Sequence, residues 1–224
     1  MLSDFLKEYS SESIAVLDTA ISLSDYEPLD LSVQNRELDG YAMTTPEGCQ
    51  SYIDIILGKA GKKIAFGGYL EQRGIYDSFG RFGEGEQRNI HLGMDFWHAA
   101  GTKVHVPIDG VVHSFRNNSD VGNYGPTIIM EHRFRSISFY TLYGHLSLES
   151  LEGLEKGKVF KRGDILATLG APEINVNYAP HLHFQIIEDI QGYEGDYPGV
   201  CSQKELHFFQ KNCPNPNLLL KLKS

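Results

Sequence analysis

Three short segments of the chain combine histidine with other residues that can bind a metal ion or transfer protons. They are His91-Leu-Gly-Met-Asp95, Tyr143-Gly-His145-Leu146 and His181-Leu-His183-Phe184. Imidazole nitrogens and carboxylate oxygens are zinc ligands in proteins, and three such ligands leave one position open, as in catalytic zinc sites. The segments therefore predict a metal centre that performs hydrolysis.

The spacing within two of these segments places reactive side chains on common faces. Residues i and i+2 of a strand point to the same side, so His181 and His183 can serve as one ligand and one acid/base group. Residues i and i+4 fall on one face of a strand or of a helix. His91 and Asp95 can therefore converge on one ion in either element.

The other histidines are predicted to have ordinary structural roles. A single histidine in a strand is more often a surface residue or a core residue with satisfied hydrogen bonds than a ligand. We assign this role to His98, His105, His113, His132 and His207. His105 alternates with Val104 and Val106 and is predicted to face outwards.

The central region of the chain has the residue pattern of a β domain. Its glycines recur every few residues, between short runs of β-branched and aromatic residues. Strands are predicted at 104–112, 127–131, 137–143, 159–169 and 181–187. Short strands at regular intervals predict a mainly β fold with antiparallel sheets.

The two flanking regions differ from this centre. Residues 1–61 contain few glycines, and Ile14, Leu17 and Ile21 recur at helical spacing; a second helix is predicted from Glu47 to Leu57, following Pro46. We predict that the chain is divided into three units: a helical accessory segment at 1–61, a β domain at 62–188, and a C-terminal extension at 189–224 packed on that domain. The extension is predicted to contain a short helix at 202–210 and an apolar tail at 218–220.

Composition excludes several classes of function. The formal charge is 20 − 29 = −9, and there is no basic run of the kind that nucleic-acid binding requires. The chain has neither the pattern of a signal peptide nor an apolar stretch that could span a bilayer. Cys49, Cys201 and Cys213 form neither a CxxC metal site nor an even disulfide set. We therefore expect a cytoplasmic protein; the alternative is an exported protein whose leader is absent from this sequence.

The three histidine segments, in this order, resemble peptidase family M23, the lysostaphin and LytM group. The flanking segments Gly101–Val112 and Gly157–Ala167 resemble the strand and the turn that accompany these motifs in the family. The resemblance covers about Gly67–Ile187, which is over half of the chain.

The family resemblance implies a fold, a metal site and a reaction. It implies one zinc ion bound by His91, Asp95 and His183, with His145 and His181 as the catalytic pair. The implied fold is an antiparallel β domain of the duplicated hybrid motif type, with a groove over one sheet. The implied reaction is hydrolysis of an amide bond in peptidoglycan peptides.

Further segments resemble a subgroup of the family that also occurs inside large chains, fused to an aminotransferase and a kinase-like domain. These segments are Gly67–Tyr76, Asp196–Val200 and Asn215–Leu220. By this likeness the substrate could be a related small peptide or amide. Glu71, Arg73 and Tyr76 are candidates either for lining the groove or for forming a salt-bridged loop over its mouth.

Two other functions are compatible with such a scaffold. The first is a binding module for peptidoglycan or peptides that has lost catalysis. The second is a histidine phosphocarrier of similar fold, which uses two nearby histidines and requires neither Asp95 nor zinc. The sequence leaves the scissile bond and the oligomeric state undetermined.

Overall fold

The structure is a computed structural model that describes residues 1–74, 87–120 and 122–223. Its helices are α1 (Leu2–Glu8), α2 (Pro46–Ala60), α3 (Leu206–Asn212) and α4 (Asn217–Leu220). Its strands are β1 (Tyr26–Pro28), β2 (Ile64–Gly67), β3 (Arg88–His91), β4 (Met94–Trp97), β5 (Lys103–His105), β6 (Gly110–Asn118), β7 (Gly125–Phe134), β8 (Ile137–Gly144), β9 (Val159–Phe160), β10 (Ile165–Thr168), β11 (His181–Ile187) and β12 (Val200–Ser202). None of the helices in these ranges has the length and apolarity needed to span a bilayer.

The main sheet contains eight of these strands, in the order β1-β2-β4-β11-β8-β7-β6-β9. Its neighbouring strands are antiparallel, except that β1 runs parallel to β2. Two smaller antiparallel pairs, β5 with β10 and β3 with β12, complete the framework. The predicted mainly β fold with antiparallel sheets and a helical N-terminal segment is confirmed.

Strand β11 lies inside the main sheet, between β4 and β8. Its side chains alternate between the two faces of the sheet, so that core residues lie on one face and predicted site residues on the other. Leu182, Phe184 and Ile186 are fully buried in the largest apolar cluster. His181 and His183 belong to the opposite face, since side chains alternate along a strand. The apolar residues therefore anchor the strand that carries two of the predicted site residues.

Helix α2 forms where the sequence predicts it, with bounds a few residues wider than expected. The Thr45 side chain accepts a hydrogen bond from the Gly48 backbone N–H, Pro46 occupies the first turn, and Gly61 ends the helix at φ +65°. Cys49, Tyr52 and Ile53 on its buried face belong to one apolar cluster with Ala65 and Trp97 of the main sheet. The accessory segment is thus packed on the sheet beside β4.

The helix suggested by the spacing of Ile14, Leu17 and Ile21 does not form. Instead, the Ile14 N–H donates to the Leu220 carbonyl, and Val16 accepts a hydrogen bond from the His105 N–H. Ile14, Val16 and Leu17 are all buried. Their burial comes from an extended segment lying along β5, so tertiary packing and not helical periodicity explains the pattern.

Two other expectations around β5 are corrected. The predicted strand at 159–169 is divided into β9 and β10 by a turn in which Gly163 has φ +90°. His105 faces inwards, being only 7% exposed, and its Nδ1 donates to the Gly163 carbonyl at 2.9 Å. The turn supplies a hydrogen-bond acceptor for one of the two ring nitrogens of this buried histidine.

The C-terminal extension carries one short helix close to the predicted position and a buried tail. Helix α3 begins four residues later than the predicted segment at 202–210. Leu219 and Leu220 of α4 are fully buried in the main apolar cluster, near α1. The tail therefore docks on the body of the protein, as its apolar composition indicated.

Candidate metal centre

Backbone pairing brings two of the predicted zinc ligands face to face. In the antiparallel pairing of β4 with β11, Asp95 is the direct partner of His183. His91 lies at the end of β3, and the chain turns at Leu92-Gly93 before β4 begins. The His91-to-Asp95 segment thus spans two short strands, and neither a single strand nor a helix explains why its ends converge.

Three side-chain atoms meet at the centre of this arrangement. His91 Nε2 is 2.9 Å from His183 Nδ1 and 3.2 Å from Asp95 Oδ1. Asp95 Oδ1 is 3.1 Å from His183 Nδ1. All three residues are buried, and within the described part of the chain they form a group that could hold a metal ion.

The outer hydrogen bonds of both histidines fix which nitrogen faces the centre. His91 Nδ1 donates to the Gly68 carbonyl oxygen at 2.9 Å. His183 Nε2 donates to Gln185 Oε1 at 2.9 Å, and Gln185 Nε2 in turn donates to the Pro198 carbonyl. In their neutral forms, the two rings therefore direct lone pairs at each other and at the Asp95 carboxylate.

This donor set fits a zinc ion. Three acceptor atoms within 3.2 Å of one another repel unless a cation lies between them. The ligand atoms of a tetrahedral zinc ion with bonds of about 2.1 Å are separated by roughly 3.4 Å, slightly more than the distances seen here. Two imidazoles and one carboxylate also match the ligand types of catalytic zinc sites, so the residues present suit the group that the sequence predicts.

The charges around these atoms keep them in the ligand-competent state. Burial, with the nearby Arg73 guanidinium, lowers the pKa of His91 to about 4. Burial alone would raise the pKa of Asp95, but His91, Arg73 and the hydrogen bonds from the two histidines outweigh it and hold that pKa well below its usual range. At neutral pH the site therefore offers a neutral imidazole at His91 and a carboxylate at Asp95.

Gly93 lies in the turn between β3 and β4, where the backbone comes close to residues of β11. A Cβ at this position would lie 2.7 Å from His183 Nε2 and 2.7 Å from the Phe184 carbonyl oxygen. Real Cβ atoms do not approach so closely, so a side chain at residue 93 would displace the His183 ring. The glycine in the His91-to-Asp95 segment thus permits the close approach on which the ligand geometry depends.

The two remaining predicted site residues lie together beside this cluster. The ring centroids of His145 and His181 are 4.1 Å apart. His181 stacks on Trp97 at 5.7 Å, and its Nδ1 donates to the Ala179 carbonyl at 2.7 Å, leaving Nε2 for the pocket. His145 also contacts the edge of Tyr178.

Both histidines are held neutral, and the backbone of one is constrained. Burial lowers the pKa of His181, and burial, with repulsion from His181 and His183, lowers the pKa of His145 well below its usual value. His145 follows the end of β8 with φ +62°, a left-handed conformation that costs energy for any residue except glycine. Its N–H donates to the Tyr124 carbonyl, and its own carbonyl accepts from Gly170, so the surrounding loops enforce this geometry.

One pocket of about 290 Å³ contains all five predicted site residues. Most of its remaining walls come from three regions. The accessory segment contributes Leu31, Met43, Thr44, Thr45 and Cys49; the loops beside His145 contribute Asn123, Tyr124, Asn177 and Tyr178; the C-terminal extension contributes Tyr193, Asp196, Tyr197, Pro198, Gly199 and Val200. The pocket is thus closed on two sides by segments outside the central sheet.

Of the three residues proposed as groove or loop candidates, two lie in the described part of the chain. Arg73 lines the pocket and is also salt-bridged, to Glu71 and to Asp95. The two alternatives considered for these residues therefore coexist. Tyr76 lies outside the described residues.

Sequence reasoning did not assign Tyr124, Tyr178 or Trp97 to the site. Tyr124 packs against both His145 and His183, and its hydroxyl donates to the Tyr197 carbonyl. These aromatic residues reach the pocket from loops or neighbouring strands, and their spacing in sequence carries no signal of it. The five histidines assigned structural roles are absent from the residues that line the pocket: His98, His105, His113, His132 and His207.

Residues 89–195 match the sequence model of peptidase family M23. This part of the chain is therefore similar in sequence to members of that family. The match includes all five predicted site residues and confirms the resemblance on which their roles were proposed. Comparison with curated proteins gave no match.

Solved structures similar to this chain include two peptidases. A zinc-containing peptidase from Vibrio cholerae is 32% identical, with 44% of this chain and 27% of that chain covered and a TM-score of 0.36. The catalytic domain of the antimicrobial peptidase lysostaphin from Staphylococcus simulans is 22% identical, with 59% of this chain and 88% of that chain covered and a TM-score of 0.39. The chain therefore spans about a quarter of the Vibrio cholerae protein.

Proposed function

We propose that this protein is a zinc-dependent metallopeptidase that hydrolyses an amide bond in a short peptide. The observation that carries the proposal is the convergence of three lone-pair atoms, from His91, Asp95 and His183, beside two neutral histidines in one pocket. The match of residues 89–195 to the sequence model of a peptidase family supports the same reaction. Neither a phosphocarrier nor a simple binding module requires all five groups.

The proposed roles follow from the positions of the side chains. His91, Asp95 and His183 would hold one zinc ion. When bound, zinc polarises a scissile carbonyl and makes water more acidic. His181 can accept a proton at Nε2, because its Nδ1–H is engaged by the Ala179 carbonyl. The neutral His145 ring supplies one N–H that can donate to the oxyanion or to the leaving amine.

The shape of the pocket supports a short substrate. Its volume of about 290 Å³ is just below the usual range for ligand pockets, which extends from roughly 300 to 1,000 Å³. Met43 and Thr44 from the accessory segment and Tyr193 and Pro198 from the C-terminal extension form walls on it. We propose stem-peptide fragments of peptidoglycan and related dipeptides or small amides as substrates, in preference to the continuous polymer.

The direct test is incubation of the zinc-loaded protein with three substrates: muropeptides, a dipeptide library and intact peptidoglycan. Mass spectrometry should detect paired products whose summed mass exceeds that of the substrate by one water. A chelator should abolish the activity, and added zinc should restore it. The His145→Asn variant, loaded with zinc, is the matched control that should retain metal but lose turnover.

Three results would contradict the proposal in different ways. Binding of these peptides without any cleavage by the zinc-loaded protein would favour a non-catalytic module. Cleavage that resists the chelator would exclude zinc dependence. Faster cleavage of intact peptidoglycan than of its soluble fragments would overturn the argument from pocket size.

A further inference from the structure

Arg73 is a buried cation in direct contact with one of the proposed metal ligands. Its side chain is 3% exposed, and its Nη1 donates to Asp95 Oδ2 at 2.6 Å. Asp95 Oδ1, the other carboxylate oxygen, is the one that faces His91 and His183. The two oxygens of Asp95 therefore have separate partners.

A second carboxylate balances the charge of this arginine. Arg73 Nε donates to Glu71 Oε2 at 2.5 Å, and Glu71 Oε1 accepts the backbone N–H of Leu31 at 2.9 Å. Burial of an arginine is tolerable when its charge is paired and its donors are hydrogen-bonded. Because Glu71 and Arg73 cancel, the net charge available to a cation is still that of Asp95 alone.

Arg73 also lies against the backbone that orients His91. A Cβ on Gly68 would be 2.0 Å from Arg73 Nη2, so the guanidinium packs directly on this glycine. The carbonyl of the same Gly68 accepts the Nδ1–H of His91. The arginine thus contacts the supports of two proposed ligands.

We propose that Arg73 is a positioning residue for the metal centre, a role that rests on the proposed function. By holding Asp95 Oδ2, Arg73 restricts the carboxylate to coordination through Oδ1 and leaves the open position for substrate. Glu71 extends this restraint to Leu31, so the accessory segment takes part in fixing the metal ligand. A purely structural ion pair would stabilise the fold without affecting the ion.

The fork shape of the guanidinium is central to this role. One planar group donates in two directions, to Asp95 and to Glu71, at fixed angles. Lysine carries the same charge on a single ammonium and cannot reproduce this geometry. Replacement by lysine should therefore preserve the local charge but restore the metal site only in part.

The experiment compares Arg73→Met and Arg73→Lys with wild type, using Arg88→Met as the matched control. Arg88 also lines the pocket, but the described partners of its side chain are Glu205 and the Val200 carbonyl, neither of which is a proposed ligand. Zinc affinity is measured by chelator competition, and coordination is measured from the absorption spectrum of the cobalt-substituted protein. Thermal unfolding of the metal-free proteins reports on the fold.

We expect Arg73→Met to weaken zinc binding by about 10- to 100-fold, as is usual when a group that orients a ligand is lost. Its cobalt spectrum should show the weaker bands of a higher coordination number, since Asp95 can then bind through both oxygens. The zinc affinity and cobalt spectrum of Arg73→Lys should lie between those of Arg73→Met and wild type. Those of Arg88→Met should match wild type.

A double variant provides a control in case Arg73→Met misfolds because Glu71 is left unpaired. The double variant Glu71→Gln with Arg73→Met removes both charges together and should fold, yet it should also bind zinc less tightly and show the altered cobalt spectrum. Folded variants with unchanged zinc affinity and cobalt spectrum would overturn the positioning role alone. Failure of the wild-type protein to bind zinc would overturn the proposed function, and the role of Arg73 with it.

Discussion

Asp95 and His183 are direct partners in the pairing of β4 with β11, and their facing atoms, Oδ1 and Nδ1, are 3.1 Å apart. The relative position of these two proposed ligands is therefore fixed by the backbone hydrogen bonds of a central strand pair. Sites built on such elements hold their geometry more closely than sites built on loops. The third proposed ligand, His91, joins them through the turn at Leu92-Gly93.

Removal of one proposed ligand should abolish zinc binding. His183→Ala leaves only His91 and Asp95, which is too few ligands to retain zinc against a chelator. Metal analysis of the purified variant should fall from about one zinc per chain to near zero. The exposed His207 provides the control, because His207→Ala removes an imidazole that does not line the pocket. Near-stoichiometric zinc in His183→Ala would remove this residue from the ligand set.

Loss of His145 should separate catalysis from metal binding. Asparagine is the appropriate replacement, because it tolerates the left-handed backbone conformation at this position better than alanine does. We expect His145→Asn to keep its zinc and to lose about 10²–10⁴-fold in turnover, the usual contribution of a general acid or base. His113→Asn is a suitable control outside the pocket. Equal turnover by His145→Asn and wild type would contradict the proposed role.

Substitution of Gly93 should disturb the metal site by steric overlap, without removing any proposed ligand. Gly93→Ala places a methyl group 2.7 Å from the His183 ring and from the Phe184 carbonyl, so we expect a loss of about 1–3 kcal/mol in unfolding free energy and weaker zinc binding. Gly58→Ala is the matched control, since no atom lies within 4 Å of the added Cβ in the exposed interior of α2. That control should be more stable by roughly 0.5–1 kcal/mol. Denaturant unfolding and chelator competition measure both effects, and an unperturbed Gly93→Ala protein would refute the close-approach argument.

Stability in acid should depend on His132, which is buried away from the metal centre. Its Nδ1 donates to the Asp109 carbonyl and its Nε2 accepts from Thr141, and burial lowers its pKa from 6.5 to about 4. Below pH 6.5 the unfolded chain binds a proton that the folded protein excludes. Stability should therefore fall as the pH decreases from 6.5 to 4, by at most about 3 kcal/mol from this group.

The contribution of His132 is isolated by comparing variants without metal. Asparagine at position 132 retains a donor near the Asp109 carbonyl but has no group that titrates in this range. The difference in unfolding free energy between pH 7 and pH 4 should be smaller for His132→Asn than for wild type, whereas His207→Asn should behave as wild type does. An identical pH dependence in all three proteins would exclude His132 as a source of acid sensitivity.

The residues of the site were recognisable from the sequence because their chemistry depends on side-chain type and short spacing. The i, i+2 spacing of His181 and His183 places both on one face of any strand, and Asp95 lies four residues from His91 in a segment typical of family M23. The strands themselves follow from alternation and turn residues, which are local properties. Family, fold class and candidate ligands were therefore accessible without coordinates.

Tertiary structure alone decided how these residues are supported and how the pocket is closed. The ion pairs of Arg73 with Asp95 and Glu71, and the approach of Met43 and Tyr193 to the pocket, join residues whose separation in sequence carries no periodic signal. The segment around Leu17 is extended because burial against β5 provides more apolar contact than an isolated helix could. Burial and long-range hydrogen bonds arise only when the whole chain is packed. For that reason the sequence specifies the proposed ligands, while the fold specifies their environment.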